Sequence, residues 1–318
     1  MSQKIAIVGL GYIGASLGLA LKAARVDAEF VGHDRENDVA AKAKKIGAVD
    51  RTHWNLISAV DEAGLVILAI PVMAMKVTLE AIAPYLRPGC VVSDVASTKV
   101  PVLAWADAAL PRTVSFVGGH PIVKKAGSGI DSATRGLFQG CTYCVLPSRQ
   151  ASPVAVETVL GMVSAIGATP YFIDPAEHDS FVAGVSHLPL LLSTALVKAT
   201  AGSPSWREMR KVAGGGYGEM LALAQGEAQA RVDLCELNRD NLVRWLQAYA
   251  EALEQLRQQI AQGSEELLGI FQNASEARDR WLAEGPEDRE AISELLPTPG
   301  KQLRQIFLGG GRPRSGGS

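Results

Sequence analysis

The chain reads as an α/β protein: a doubly wound, mostly parallel sheet followed by an all-helical domain. Three observations predict this. Short apolar runs alternate with helical patterns from residue 4 to about 174, as strands and crossover helices alternate around a parallel sheet. The first apolar run leads into Gly9, Gly11 and Gly14. Past Asp174 the strand signals stop and long helical patterns take over.

The opening stretch, KIAIVGLGYIGASLGLALKAARVDAEFVGHD, spans Lys4 to Asp34. Ile5 to Val8 forms a strand, Leu17, Leu21 and Ala24 mark a helix, and Phe30 to Gly32 begins a second strand. Asp34 lies twenty residues past Gly14. That is the strand–turn–helix–strand pattern of a Rossmann-type dinucleotide site. Gly9 allows the tight turn, Gly11 lets backbone approach a pyrophosphate, and Gly14 lets the helix pack close. The helix N-terminus offers unpaired N–H groups and a favourable dipole to the phosphates. Tyr12 and Ile13, inside the turn, and Pro71, after a later strand, complete the expected cofactor contacts. Asp34 accepts from ribose hydroxyls and disfavours a 2′-phosphate, so NAD is expected. Arg35 keeps NADP open, since an arginine there could pair with that phosphate; a solvated loop charge is its other reading.

The remaining elements follow in order. A polar helix covers 37–46 and Gly47 stops it. LVILAI is a buried strand ending at Ile70, and a helix runs from Met73 to Leu86. CVVSDVAS is a strand ending near Asp94, followed by a helix from about Thr98 to Ala109. Val114 to Val117 is a strand ending at Gly118-Gly119-His120-Pro121. Tyr143 to Leu146, a helix from Pro153 to Ile166 and Thr169 to Ile173 form an antiparallel or mixed edge. The apolar helix Pro175 to Ala201 carries Pro189 as an expected kink. Arg231 to Gln262 reads as one long amphipathic helix, and another covers 265–284. The expected domains are 1–174 for the dinucleotide, 175–285 for substrate and dimerisation, and 286–318 as a short helical extension with a low-complexity tail. The long apolar stripe predicts a homodimer.

Composition narrows the class. The 318 residues are 47% hydrophobic and 20% charged, with net charge −2. No basic field argues for nucleic acid or an anionic membrane. Cys141 and Cys144 form a CxxC, but no second pair or nearby histidines complete a zinc site. No metal is expected. The N-terminus has neither signal-peptide nor membrane-span character, so the expected location is the cytoplasm.

Three stretches sit where such a sheet places ligands, at the carboxyl ends of strands. In Asp94-Val95-Ala96-Ser97-Thr98-Lys99, Ser97 reads either as a helix cap or as a cleft residue. In Gly118-Gly119-His120-Pro121-Ile122, His120 is the best general acid/base candidate, because imidazole titrates near neutral pH. On spacing alone a buried structural histidine is the alternative. In Val185-Ser186-His187-Leu188-Pro189, a Ser-His pair inside an apolar helix needs polar partners. His187 either satisfies itself by packing or faces the substrate, and His178 in PAEHD could add a polar group.

Taken together, VGLGYIGASLGLAL, DVASTK, GGHPI with SGID and LFQG, YCVLP, PAEHD and VSHLP resemble the prephenate/arogenate dehydrogenase family of tyrosine biosynthesis. The resemblance covers residues 4 to about 190, and the helical remainder resembles the family's dimerisation domain. It implies an oxidative decarboxylation of a cyclohexadienyl acid with hydride transfer to a nicotinamide. His120 is implied as the base that takes the substrate hydroxyl proton. Ser97 is implied to orient His120 or that hydroxyl, and His187 to line the substrate pocket.

The sequence also departs from that pattern. Val123-Lys124-Lys125-Ala126-Gly127 stands where a Gly-Thr-Glu-Lys run is usual. Gly218 and Ala222 stand where the family has carboxylate-binding arginines. Lys124 and Lys125 are candidate replacements, with solvated loop lysines as the other reading; Arg207 and Arg210 are further candidates. Leu190 replaces the histidine common after SHLP in prephenate-type members, which leans towards arogenate. Two alternatives remain open: a divergent member acting on a related cyclohexadienyl acid in specialised metabolism, and a catalytically silent nucleotide-binding homologue.

Overall fold

The computed structural model describes residues 3–123, 127–224 and 226–283. The expected short helices and tail after residue 285, and Lys124 and Lys125, lie outside the described residues. The chain divides into two compact units, whose described parts are 3–178 and 179–283.

The first unit is an eight-stranded sheet in the order β3-β2-β1-β4-β5-β6-β7-β8. Its strands are β1 Gln3–Val8, β2 Ala28–His33, β3 Arg51–Thr52, β4 Leu65–Leu68, β5 Val91–Asp94, β6 Ser115–Ile122, β7 Thr142–Pro147 and β8 Thr169–Phe172. Every pairing is parallel except β6 with β7. The crossover helices are α1 Tyr12–Ala23, α2 Asn37–Lys45, α3 Leu56–Val60, α4 Val72–Ile82, α5 Val100–Ala109 and α6 Pro153–Ala165.

The buried stretches of β1 and β4, Ile5–Val8 and Leu65–Leu68, are apolar on both faces because both faces of the sheet are covered. Ile5, Ile7, Leu65 and Ile67 belong to one hydrophobic core. Their neighbours Ala6, Val8, Val66 and Leu68 point to the opposite core. Fully burying each of the larger side chains contributes roughly 1.5–3 kcal/mol.

Two expectations change here. The sixth strand does not stop at Val117 but continues through His120 to Ile122. Its parallel partner β5 pairs with it only as far as Ser93↔Val117. The antiparallel β7 then carries the ladder on, from Val117↔Pro147 to Ile122↔Thr142. Likewise, α5 begins at Val100 with Lys99 at its N-cap and no side-chain cap. Ser97 is therefore not a helix cap: the chain stays non-helical for two more residues, where Asp94 holds the turn by accepting from the Ala96 N–H at 2.8 Å.

The second unit is helical: α8 Leu188–Ala201, α9 Trp206–Met209, α10 Gly215–Ala222, α11 Ala228–Leu237, α12 Arg239–Gln262 and α13 Glu266–Ala283. The unit boundary falls inside α7 Pro175–Val182. The single helix expected over 231–262 is two helices. Asn238 leaves helical geometry at φ −125° and ψ 31°, and its side chain is turned to other work described below. The kink expected at Pro189 appears as a π-helical turn, Ala183–His187, directly before it. Proline in the first turn of α8 has no N–H to donate, so the preceding backbone must widen. The run Pro175–Ala201 is long and apolar enough to cross a membrane by length and composition, and its most apolar window is 28% buried.

Candidate active site

The glycine turn after β1 is shaped for close backbone approach. Gly9 has φ +89°, and a Cβ there would lie 2.4 Å from the Ala69 carbonyl oxygen. A Cβ on Gly14 would lie 1.9 Å from the Gly9 oxygen, so only glycine lets α1 start against the turn. Gly11 is the N-cap of α1, with open space where a Cβ would stand. The Tyr12 side chain is buried, Ile13 packs against the core, and Pro71 is the exposed N-cap of α4.

Asp34 follows β2 with both carboxylate oxygens engaged. Oδ2 accepts from the Leu10 N–H at 2.8 Å and Oδ1 from the Glu36 N–H at 2.9 Å. These bonds fix the carboxylate beside the turn, with lone pairs remaining for ribose hydroxyls. Arg35 is 87% exposed and pairs with Glu36 at 3.2 Å.

His120 lies within β6 opposite Cys144 and is buried. Its Nδ1 lies 2.9 Å from Nε2 of His178, with the rings edge-on at 75°. His178 is fully buried in the first turn of α7. Asp174 sets that turn: its Oδ1 accepts from the Ala176 and Glu177 N–H groups at 2.8 and 3.3 Å. The His178 N–H then bonds the Asp174 carbonyl at 2.8 Å. For His120 to accept a proton at Nε2, its Nδ1 must donate to His178; the other tautomer would put a proton on Nε2 already. His178 thus has the position of a tautomer-setting partner. Fifty-eight residues separate the two histidines, and no spacing rule pairs them.

Ser97 is half-buried in the β5–α5 segment, and its hydroxyl makes no hydrogen bond to His120. Beneath this segment Asp94 and Lys99 form a fully buried ion pair. Lys99 Nζ also donates to the Gly119 carbonyl at 2.6 Å, and Asp94 Oδ1 accepts from the Gly119 N–H at 3.2 Å.

In the helical unit, His187 closes the π turn and is buried, while Ser186 is exposed. Asn238 Nδ2 donates to the Asp179 carbonyl at 2.8 Å and lies 3.4 Å from His187 Nδ1. Trp245 packs over Gly184, where a Cβ would meet its ring at 2.6 Å, and donates from Nε1 to the Ser180 carbonyl at 3.1 Å. Gly218 lies on α10 with open space at its Cβ position, and Ala222 ends that helix. Arg207 and Arg210 are exposed, and Leu190 is half-buried.

The cysteines are free thiols, not a bridge. Burial pushes Cys90 up to about 12 and Cys144 up to about 11. Among the described residues no group of three or more metal-binding side chains occurs.

Known proteins identify the family. Residues 17–171 match the family model of the prephenate dehydrogenase nucleotide-binding domain, and 174–273 match that of the prephenate dehydrogenase dimerization domain. A prephenate dehydrogenase of Bacillus subtilis is 30% identical over 282 residues, covering 88% of this chain and 76% of its own. The crystal structure of Synechocystis arogenate dehydrogenase is 31% identical, with a TM-score of 0.74 over 88% of this chain and all of that one. The Aquifex aeolicus prephenate dehydrogenase, crystallised with hydroxyphenyl propionate and NAD+, shares the fold at 22% identity, with a TM-score of 0.81 over 89% of this chain and 99% of its own. With both of its domains matched in order, this chain belongs to the prephenate dehydrogenase family of oxidoreductases.

Proposed function

We propose that this enzyme oxidatively decarboxylates a cyclohexadienyl acid, prephenate or arogenate, in tyrosine biosynthesis, with His120 as general base. The observation that carries the proposal is the His120–His178 pair at the carboxyl side of a dinucleotide-type sheet. His178 holds the Nδ1–H tautomer, and His120 takes the substrate hydroxyl proton at Nε2. A C–H bond on the same carbon breaks, its electron pair leaving as hydride. The ring carboxylate departs as carbon dioxide, and its bonding electrons complete the aromatic ring. Ser97 orients the hydroxyl, and His187 contacts the substrate.

The glycine turn and Asp34 fit NAD. Gly9, Gly11 and Gly14 would admit the pyrophosphate, Asp34 would hold the ribose hydroxyls, and Tyr12, Ile13, Ser97 and Pro71 would flank the cofactor. When bound, the nicotinamide supplies the hydride acceptor. Arg35 turned to Glu36 and solvent is consistent with NAD over NADP. Lys124 and Lys125 are assigned to the substrate carboxylates. Residues 1–174 serve the cofactor and 175–285 the substrate and dimerisation, in a cytoplasmic homodimer. Exposed Val243, Leu246, Leu253, Ile260, Phe271 and Trp281 on α12 and α13 supply apolar area for the dimer contact; a concentration-independent monomer mass would exclude it.

Leu190 leans towards arogenate, while Gly218 and Ala222, standing where arginines are expected, motivate a related cyclohexadienyl acid as the second reading. Steady-state formation of reduced cofactor and carbon dioxide with each acid decides. Turnover of neither removes the narrow assignment and leaves the related-acid and silent-homologue readings.

A further inference from the structure

Lys99 and Asp94 have no exposed side-chain surface at all. Desolvating two charges costs more than their attraction returns unless further bonds satisfy them, and an apolar pair of similar volume often serves stability as well or better. Here the further bonds converge on one peptide group. Lys99 Nζ donates to the Gly119 carbonyl at 2.6 Å, and the Gly119 N–H donates to Asp94 Oδ1 at 3.2 Å. The other Asp94 oxygen receives the Lys99 ammonium and the Ala96 N–H.

The sheet explains why Gly119 needs this. On the β5 side, pairing with β6 ends at Ser93↔Val117. Two residues further on, β6 has no strand neighbour on that side among the described residues, yet Gly119 is buried. The ion pair stands in for the missing strand, supplying one acceptor and one donor where a ladder would have. Gly119 is also hemmed in: a Cβ would lie 2.6 Å from both the Asp94 carbonyl oxygen and the Tyr143 hydroxyl. The next residue is His120.

We propose that Asp94 and Lys99 are positioning residues for His120. They fix the Gly119–His120 backbone so that the imidazole stands against His178 in a single tautomer. The inference rests on the reading of His120 as base, and it assigns no proton transfer to either residue.

The test compares the full-length enzyme with Lys99→Met and with the double variant Asp94→Asn/Lys99→Met. The double variant removes both charges, so no unpaired ion is left buried. Three quantities are measured: thermal midpoint, steady-state constants with prephenate and arogenate, and long-range 15N spectra of the imidazoles. Five histidines make the spectra assignable, with His120→Asn identifying its own signals. In the double variant the midpoint and NAD affinity should return close to wild type. Its kcat should stay down by about 10²-fold, as for a displaced catalytic group, with KM changed by less than about threefold. The His120 signals should move from one fixed tautomer to an exchange average. A double variant with wild-type kcat and an unchanged His120 spectrum overturns the proposal. If wild type turns over neither acid, the functional reading fails separately and the spectra alone decide the positioning role. If Lys99→Met does not fold, Asp94→Asn, nearly isosteric, carries the same readouts.

Discussion

Nδ1 of His120, on a strand of the sheet, lies 2.9 Å from Nε2 of His178, on a helix 58 residues later in the chain. If His120 is the base, as proposed, its activity should depend on the partner at Nδ1. His120→Asn should lower kcat by about 10³-fold, and His178→Leu by about 10- to 10²-fold, both within the range for one positioned acid–base group. Pre-steady-state formation of reduced cofactor checks this. An unchanged His178→Leu would remove the tautomer argument.

Asp34 bears on cofactor choice. Its carboxylate is tied to the Leu10 and Glu36 N–H groups and cannot easily swing away from a 2′-phosphate. Asp34→Ala should weaken NADH binding by roughly 10- to 10²-fold, the worth of a hydrogen bond to a charged group. NADPH binding should weaken less or improve. Fluorescence titration with both cofactors measures the ratio.

The turn itself tolerates no side chain at its third glycine. Gly14→Ala places Cβ 1.9 Å from the Gly9 oxygen, forcing α1 away from β1. A stability loss of about 1–3 kcal/mol is expected, as for other overpacked sites. Denaturant unfolding reads the loss, and NAD affinity should fall with it.

One pH dependence can be signed. Burial of Asp50 by itself works upward, but the Lys22 ammonium and the Phe30 N–H outweigh it and hold the carboxyl below the usual range. A depressed folded value means stability that is present above the unfolded pKa and lost as pH falls through the folded one. The pair is partly exposed, so Asp50→Asn should cost less than about 1 kcal/mol at neutral pH. The difference from wild type should begin to shrink as pH falls below about 4 and vanish only below the depressed folded value. Urea midpoints at the two pH values provide the comparison.

Buried Cys90 and Cys144, with thiols pushed up to about 12 and about 11, should resist a thiol reagent until the protein unfolds. Modification of either in the native state at mildly alkaline pH would contradict the burial.

Much of this was legible in residue order. The glycine turn, Asp34 and the alternation of strands and helices each follow from local chemistry. What escaped the sequence depends on long-range geometry. Lysine usually reads as surface, and nothing local says that Lys99 replaces a strand that ends two residues early. His178 sits in an ordinary helix start, and its importance lies in a ring far away in the chain. The break at Asn238 was hidden by an amphipathic pattern running through it, and the side chain there bonds Asp179, 59 residues earlier in the chain.

The antiparallel strand β7 has a consequence for how such an enzyme can diversify. By extending β6 past its parallel neighbour, it places His120, the proposed proton acceptor, on stiff backbone rather than on a loop. Loops tolerate insertion and drift, whereas a central strand does not. Under the proposed assignment, substrate preference can therefore wander through residues such as Leu190, Gly218 and Ala222 while the position of His120 stays fixed.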